Sequence, residues 1–323
     1  MRAFLVRQLT DDLSGASVES VPMPNPAAGE VLIKVAAAGV NFPDYLITQG
    51  KYQLKPDLPF TPGMEVAGVV VECGQGAQRF APGARVVAGA RLGGFAEYVC
   101  APADAVRPIP DGMGDGEAAG FQAAYLTAYV GLVRRGGLRA GEHVLIHGAA
   151  GGVGLAAVDL ALHLGASVIA TASTPQKRAF LQAYGAHHVL APSGFKDAVK
   201  DLTNGQGADV VYDPVGGDVF DESVRSIAFD GRLLVIGFAG GRIADISTNM
   251  PLIKGFSVIG VRAGEYGRRF PERGRENLEA IWALAEQGIA RPHVHARYPL
   301  SATKDALLAL TTRTVIGKLA LIP

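Results

Sequence analysis

Apolar and polar positions change texture close to residue 123. Before it, apolar residues come in short runs, at 3–6, 30–37, 66–71, 85–88 and 95–101, closed by turn-forming stretches such as PMPNPAAGE, QGAQRFAPG and RLGG. Runs of that length between glycine and proline predict β-strands, here packed as a partly barrel-shaped β domain. Residues 41–50, with FPDYLITQG, predict a short helix. The prolines of the following KYQLKPDLPFTPG keep that stretch irregular, and irregular surface loops of this kind often carry function.

After residue 123, buried strands alternate with amphipathic helices. Strands are predicted at 143–148, Ser167–Thr171, His188–Leu190, 209–212 and 233–237, with a last one at 255–261. Repeated βα predicts an α/β domain with a doubly wound parallel sheet. On the first of these helices Asp159 and His163 lie four apart, and the pattern assigns both to a solvent-facing stripe. RAGEYGRRFPERG is where the chain leaves the sheet. Residues 275–287 then set Leu278, Ile281, Trp282 and Ala285 on one helical face, with Trp282 as core. Ser301 is a plausible N-cap for a final helix carrying Ala306, Leu307 and Leu310. Lys318–Ile322 reads as a closing strand that returns to the first domain. The division expected is 1–122 with 264–323 as one domain and 123–263 as the other.

Residues 143–154, HVLIHGAAGGVG, join a short apolar strand to the helical pattern LAAVDLALHLG through a glycine-rich turn. Strand, glycines and helix in that order are what a dinucleotide-binding turn requires. Small residues let the backbone approach a pyrophosphate, and the helix N-terminus presents free N–H groups with a partial positive charge. The G-x-G-x-x-G fingerprint stands here as Ala149, Gly151 and Gly154. About twenty residues on, where an acid would accept from a ribose 2′-hydroxyl, the chain has Thr171, Ala172, Ser173 and Thr174. No carboxylate is present to repel a phosphate, and Lys177 and Arg178 follow. Hydroxyl donors with a cation suit a 2′-phosphate, so NADPH is expected, with Ser173 and Lys177 as its main contacts.

Charge and composition narrow the partners. Lys plus Arg and Asp plus Glu are both 30 in 323 residues, which gives no footprint for nucleic acid or an anionic membrane. A small molecule is the expected partner. Two cysteines, Cys73 and Cys100, cannot build a disulfide framework; they read as buried small hydrophobes. With no apolar leader and no uncharged apolar run of 18 residues, a cytoplasmic protein is expected. His187 with His188, and His293 with His295, lack the accompanying ligands that a metal would need.

Four stretches in order, AAAGVNFPDYLITQGKY, LPFTPGMEVAGVV, HGAAGGVG and IGKLAL, resemble the zinc-independent medium-chain dehydrogenase/reductases of the quinone oxidoreductase group, and with the βα alternation the resemblance spans the chain. It implies a GroES-like catalytic domain completed by the C-terminal tail, an inserted Rossmann domain, and a cleft between domains where nicotinamide meets substrate. Val40 and Met64 stand where zinc-using relatives have a Cys and a His, so no metal is expected. The resemblance assigns Asn41 and Thr127 to the nicotinamide end, Gly151, Gly152 and Val153 to the pyrophosphate, and Phe238 and Gly240 to the loop beside the nicotinamide. Asn41, Tyr45 and Tyr52 are the candidate catalytic donors; Tyr45 and Tyr52 could equally only pack a wall, and Asp44 could be a helix-turn acceptor and no more. The implied reaction is NADPH-dependent hydride transfer to a quinone. Reduction of activated C=C bonds in enones, haloacrylates or enoyl-CoA thioesters, and dinucleotide binding with secondary or lost catalysis, remain open. The Arg-rich GEYGRRFPERGR could meet a CoA phosphate or be a solvated loop. A homodimer through the strand at 255–261 is expected.

Overall fold

Frequent glycine and proline keep most strands of the N-terminal segment short. The computed structural model describes residues 1–323. In it β1 (Arg2–Val6) and β2 (Ala16–Ser20) form an antiparallel hairpin. The long β3 (Glu30–Val40) leads into α1 (Phe42–Thr48), followed by β4 (Glu65–Cys73), β5 (Arg85–Gly89), β6 (Tyr98–Pro102), β7 (Val106–Pro108) and α2 (Asp115–Ala119). Then α3 (Gln122–Tyr129) runs into a π-helical turn.

Buried strands and helices alternate next: β8 (His143–Ile146), α4 (Gly152–His163), β9 (Ser167–Thr171), α5 (Pro175–Tyr184), β10 (His188–Leu190), α6 (Lys196–Leu202), β11 (Ala208–Asp213), α7 (Asp218–Ser226) and β12 (Ile227–Val235). After α8 (Asn249–Lys254) and β13 (Ser257–Gly260) come α9 (Ala263–Arg269) and α10 (Pro271–Glu286). The chain closes with β14 (Val294–Pro299), α11 (Thr303–Ala309) and β15 (Lys318–Ile322).

Two units result, Met1–Ala123 with Arg291–Pro323, and Ala124–Ala290. The first has a seven-stranded sheet in the order β14-β15-β3-β4-β5-β7, with β6 also on β3. The tail enters it directly: Leu319 lies opposite Val40 and Leu321 opposite Ala38, antiparallel. Phe4, Ile33, Ile47, Phe95 and Leu307 belong to one core there. The second unit is a six-stranded sheet, β10-β9-β8-β11-β12-β13, parallel throughout. Its order reverses between β8 and β11, and ligands of such sheets bind beyond the carboxyl ends of the strands at that point.

Four expectations change. The second boundary falls at 290/291 instead of 263/264. RAGEYGRRFPERG leaves the sheet as expected, but it folds into α9 and the start of α10, which stay with the second unit: Arg134 donates to Asn277 Oδ1 at 2.7 Å and pairs with Glu276 at 2.6 Å. Ser301 is exposed inside a 3₁₀ turn, Leu300–Ala302, and buried Thr303 ties the start of α11 by donating to the Leu300 carbonyl at 2.6 Å. Asp159 is half-buried while His163 is exposed. It accepts from the Tyr125 hydroxyl, and burial pushes its carboxyl up to about 6 despite hydrogen bonds from Tyr125 and Tyr184. Cys73 and Cys100 are half-buried thiols rather than core.

Candidate active site

The glycine turn is built by close packing. Gly148 has φ +55°, and a Cβ at Gly154 would stand 2.3 Å from the Gly148 carbonyl oxygen, so only glycine lets α4 sit this near the turn. The first bond of the α4 ladder from Gly151 is Leu155 N–H to its carbonyl, at 2.8 Å. The N–H groups of Gly152 and Val153 therefore belong to the first turn, which has no intrahelical acceptors for them. Ala149 N–H donates to the Thr171 carbonyl at 3.1 Å, which ties the turn to the end of β9.

The end of β9 carries the charge. Ser173 is exposed, and Thr174 caps α5 by accepting from Lys177 N–H at 3.2 Å. Lys177 is only 9% exposed, and its ammonium has no carboxylate partner. Burial lowers its pKa below the ordinary lysine value. A cation in the first turn of a helix opposes the helix dipole, so two unfavourable effects act on this group together. Arg178 turns back on the chain instead. Its guanidinium donates to the Ala172 and Ser173 carbonyls at 3.0 and 3.3 Å, fixing the backbone that presents Ser173.

Beyond β11 and β12 the chain makes two interlocked loops. Ala239 N–H donates to the Pro214 carbonyl at 3.0 Å and Gly240 N–H to the Val215 carbonyl at 2.8 Å. A Cβ at Gly240 would lie 2.8 Å from that same oxygen. Phe238 is left partly exposed on the loop. Asp213 holds the neighbouring loop by accepting from Val215 and Gly216 N–H at 2.8 and 2.9 Å. Thr127, half-buried on α3, belongs to the same unit.

Asn41, Tyr45 and Tyr52 lie in the first unit. Asn41 is the N-cap of α1, and its side chain joins a polar cluster. Asn41 Nδ2 donates to Glu65 Oε1 at 3.0 Å, Lys318 Nζ donates to Asn41 Oδ1 at 2.6 Å, and Lys318 pairs with Glu65 at 3.0 Å. Glu65 and Lys318 are buried. Asp44, fully buried, accepts from Asn41 N–H at 2.9 Å and from Gly63 N–H at 3.1 Å, and burial pushes its carboxyl up to about 7. It is the helix-turn acceptor, and it also ties α1 to the loop before β4. Tyr45 and Tyr52 pack partly on the core, with the Tyr45 ring 5.9 Å from that of Phe42.

Glu65 and Lys318 were missed by sequence reasoning, although each leaves a signal. An acid in the apolar run GMEVAGVV and a lysine in IGKLAL both sit where burial demands a partner.

Other candidates resolve into structural roles. No three His, Cys, Asp or Glu side chains come together to hold a metal ion, and Val40 and Met64 offer zinc no ligand; the residues do not fit that metal. His187 Nδ1 accepts from Val168 N–H at 3.0 Å. In the Arg-rich run, Glu265 pairs with both Arg268 and Arg269.

A β unit closed by its own C-terminal tail and a Rossmann unit with a glycine turn define a two-domain oxidoreductase of the dinucleotide-binding kind. Family models agree: residues 27–111 match the alcohol dehydrogenase GroES-like domain and 152–282 the zinc-binding dehydrogenase family. The rat quinone oxidoreductase-like protein 2 is 37% identical over 99% of this chain and 91% of its own length. A crystal structure of a probable oxidoreductase from Mycobacterium abscessus is 39% identical with a TM-score of 0.90, covering 100% of this chain and 99% of that one. The quinone oxidoreductase of Thermus thermophilus, solved also with NADPH, is 32% identical with a TM-score of 0.88 over the full length of both chains. The chain belongs to the quinone oxidoreductase group of the medium-chain dehydrogenase/reductase superfamily.

Proposed function

We propose that the protein is an NADPH-dependent reductase that transfers a hydride to a quinone without a metal. The observation that carries the cofactor choice is Lys177, a largely buried side chain whose ammonium has no carboxylate partner, beside exposed Ser173. A 2′-phosphate would supply the missing counter-charge. Relatives named quinone oxidoreductase, one solved with NADPH, support the same choice.

In this reading Gly151, Gly152 and Val153 hold the pyrophosphate at the start of α4, and Ser173 and Lys177 hold the 2′-phosphate. Thr127, Phe238 and Gly240 border the nicotinamide end. NADPH supplies the hydride when bound. Hydride addition leaves negative charge on an acceptor oxygen, and donors aimed at that oxygen lower the barrier. Asn41 is such a donor, and the phenols of Tyr45 and Tyr52 are the other candidates. Tyr52 is the proposed source of the proton that completes the hydroquinone. Absence of metal rests on Val40 and Met64, which stand where zinc-using relatives have a Cys and a His, and on Lys318, whose ammonium holds Asn41 Oδ1 and Glu65 Oε1.

Reduction of an activated C=C bond is the second reading. Asn41, Tyr45 and Tyr52 would meet the carbonyl oxygen of an enone or enoyl thioester as they would a quinone oxygen, since charge develops on an oxygen in both cases. Steady-state rates with NADPH and 1,4-benzoquinone, an alkenone or crotonyl-CoA separate the two. The quinone is expected to be fastest, and failure with all three would leave only dinucleotide binding without turnover.

The same reading includes a homodimer through β13. This strand is an edge of the parallel sheet, and Phe229, Leu252 and Ile253, around it in sequence or register, are strongly exposed. Unpaired edges with apolar flanks favour strand pairing with a second copy.

A further inference from the structure

We infer that Lys318 and Glu65 are positioning residues that lock the Asn41 amide as a hydrogen-bond donor toward a carbonyl oxygen of the bound reactants. This rests on the reductase reading above and adds to it the direction in which Asn41 works.

The two partners impose independent constraints on one amide. A carboxylate only accepts and an ammonium only donates. The amide atom 3.0 Å from Glu65 Oε1 must therefore be Nδ2, and the atom 2.6 Å from Lys318 Nζ must be Oδ1. Both constraints select the same orientation. Oδ1 accepts from a cation, and one of the two Nδ2 hydrogens is committed to Glu65. One N–H is left to offer, and Asn41 is partly exposed while its two partners are buried. A ligand atom that meets this N–H has to accept, as a carbonyl oxygen does. The ammonium on Oδ1 also polarises the amide, which strengthens the remaining donor.

The surroundings hold the cluster in place. The second oxygen of Glu65 accepts from Ala123 N–H at 2.9 Å, so the carboxylate cannot rotate freely. A Cβ at Gly39 would stand 2.8 Å from Glu65 Oε1, and one at Gly120 would stand 3.2 Å from Lys318 Cε; glycine at both positions leaves room for the acid and for the lysine stem. Asp44 fixes the Asn41 backbone. Lys318 reaches the cluster on β15, 277 residues after Asn41, so the tail supplies part of the site's chemistry as well as a strand.

Lys318→Met keeps the stem against Gly120 and removes the ammonium, and Lys318→Arg restores a donor. With NADPH saturating, kcat/KM for 1,4-benzoquinone is expected to fall about 30-fold in K318M and to recover in part in K318R, while the Kd for NADPH stays within about threefold. A fall in NADPH affinity instead would assign the oxygen to the nicotinamide carboxamide and support the same lock. Folded K318M with kcat and both affinities unchanged overturns it. Should K318M not fold, Glu65→Gln, of the same shape, carries the same kinetic test. A wild type inactive with every acceptor counts against the reductase reading alone. The lock is then judged from crystal structures of K318M or E65Q, in which the amide is expected to turn from its present orientation; an unmoved Asn41 side chain refutes it.

Discussion

Ser223 selects the tautomer of His147, and burial keeps the ring neutral. Its hydroxyl donates to the Val219 carbonyl at 2.7 Å, so its oxygen can only accept from His147 Nε2, 2.8 Å away. In the neutral ring Nδ1 then accepts from the Thr171 hydroxyl at 3.0 Å. A neutral imidazole thus joins the residue before Gly148 to the end of β9 and to α7, packed 4.9 Å from the Phe195 ring. Burial alone pushes its pKa down to about 3.

The sign of the pH effect follows. The folded state resists a proton that the unfolded chain takes up below the ordinary histidine value, so this contribution to stability is complete above about pH 6.5 and declines toward pH 3, by at most about 1.4 kcal/mol per pH unit. Nitrogen chemical shifts of the His147 ring are expected to show the neutral Nε2–H form at pH 5. A charged ring there would refute the assignment. Urea unfolding of His147→Gln should show a shallower loss of stability between pH 6 and 4 than the wild type.

Removal of the Lys177 charge should separate the two nicotinamide cofactors. One charge-assisted hydrogen bond is worth about 1.5–3 kcal/mol, so Lys177→Ala is expected to weaken NADPH binding by about 10- to 100-fold and leave NADH binding nearly unchanged. Fluorescence titration with each cofactor checks this, and an equal effect on both would count against the 2′-phosphate contact. Because burial lowers the Lys177 pKa, NADPH affinity should fall on the alkaline side earlier than for an ordinary lysine.

Charge placed beside β13 should test the dimer. Leu252 is 82% and Ile253 72% exposed, so aspartate at both positions is expected to cost the folded subunit little. Light scattering after size exclusion should show a dimer for the wild type and a monomer for Leu252→Asp/Ile253→Asp. A monomeric wild type would remove the proposal.

Local spacing made much of this fold readable. The strand, glycine turn and helix at residues 143–163 are contiguous, so close approach at Gly154 and free N–H groups at Gly152 follow from adjacent residue types. Ser173 and Lys177 are four residues apart across one helix start, and the absence of an acid among them is visible at once. The region from 263 to 290 was harder to place. Its exit from the sheet is marked by glycine and arginine, but its return onto the second unit depends on Arg134 finding Asn277 and Glu276, more than 140 residues along the chain.

The sequence by itself determined the alternation of strands and helices after residue 123, the strand, glycine turn and helix at 143–163, and the charge beyond β9, because each depends on neighbours a few residues away. Tertiary structure alone decided that Asp159 faces Tyr125 instead of water, that His147 is neutral, and that Lys318 meets Asn41 and Glu65. In each of these a side chain's state depends on partners brought by a distant strand or helix, and on the burial that follows.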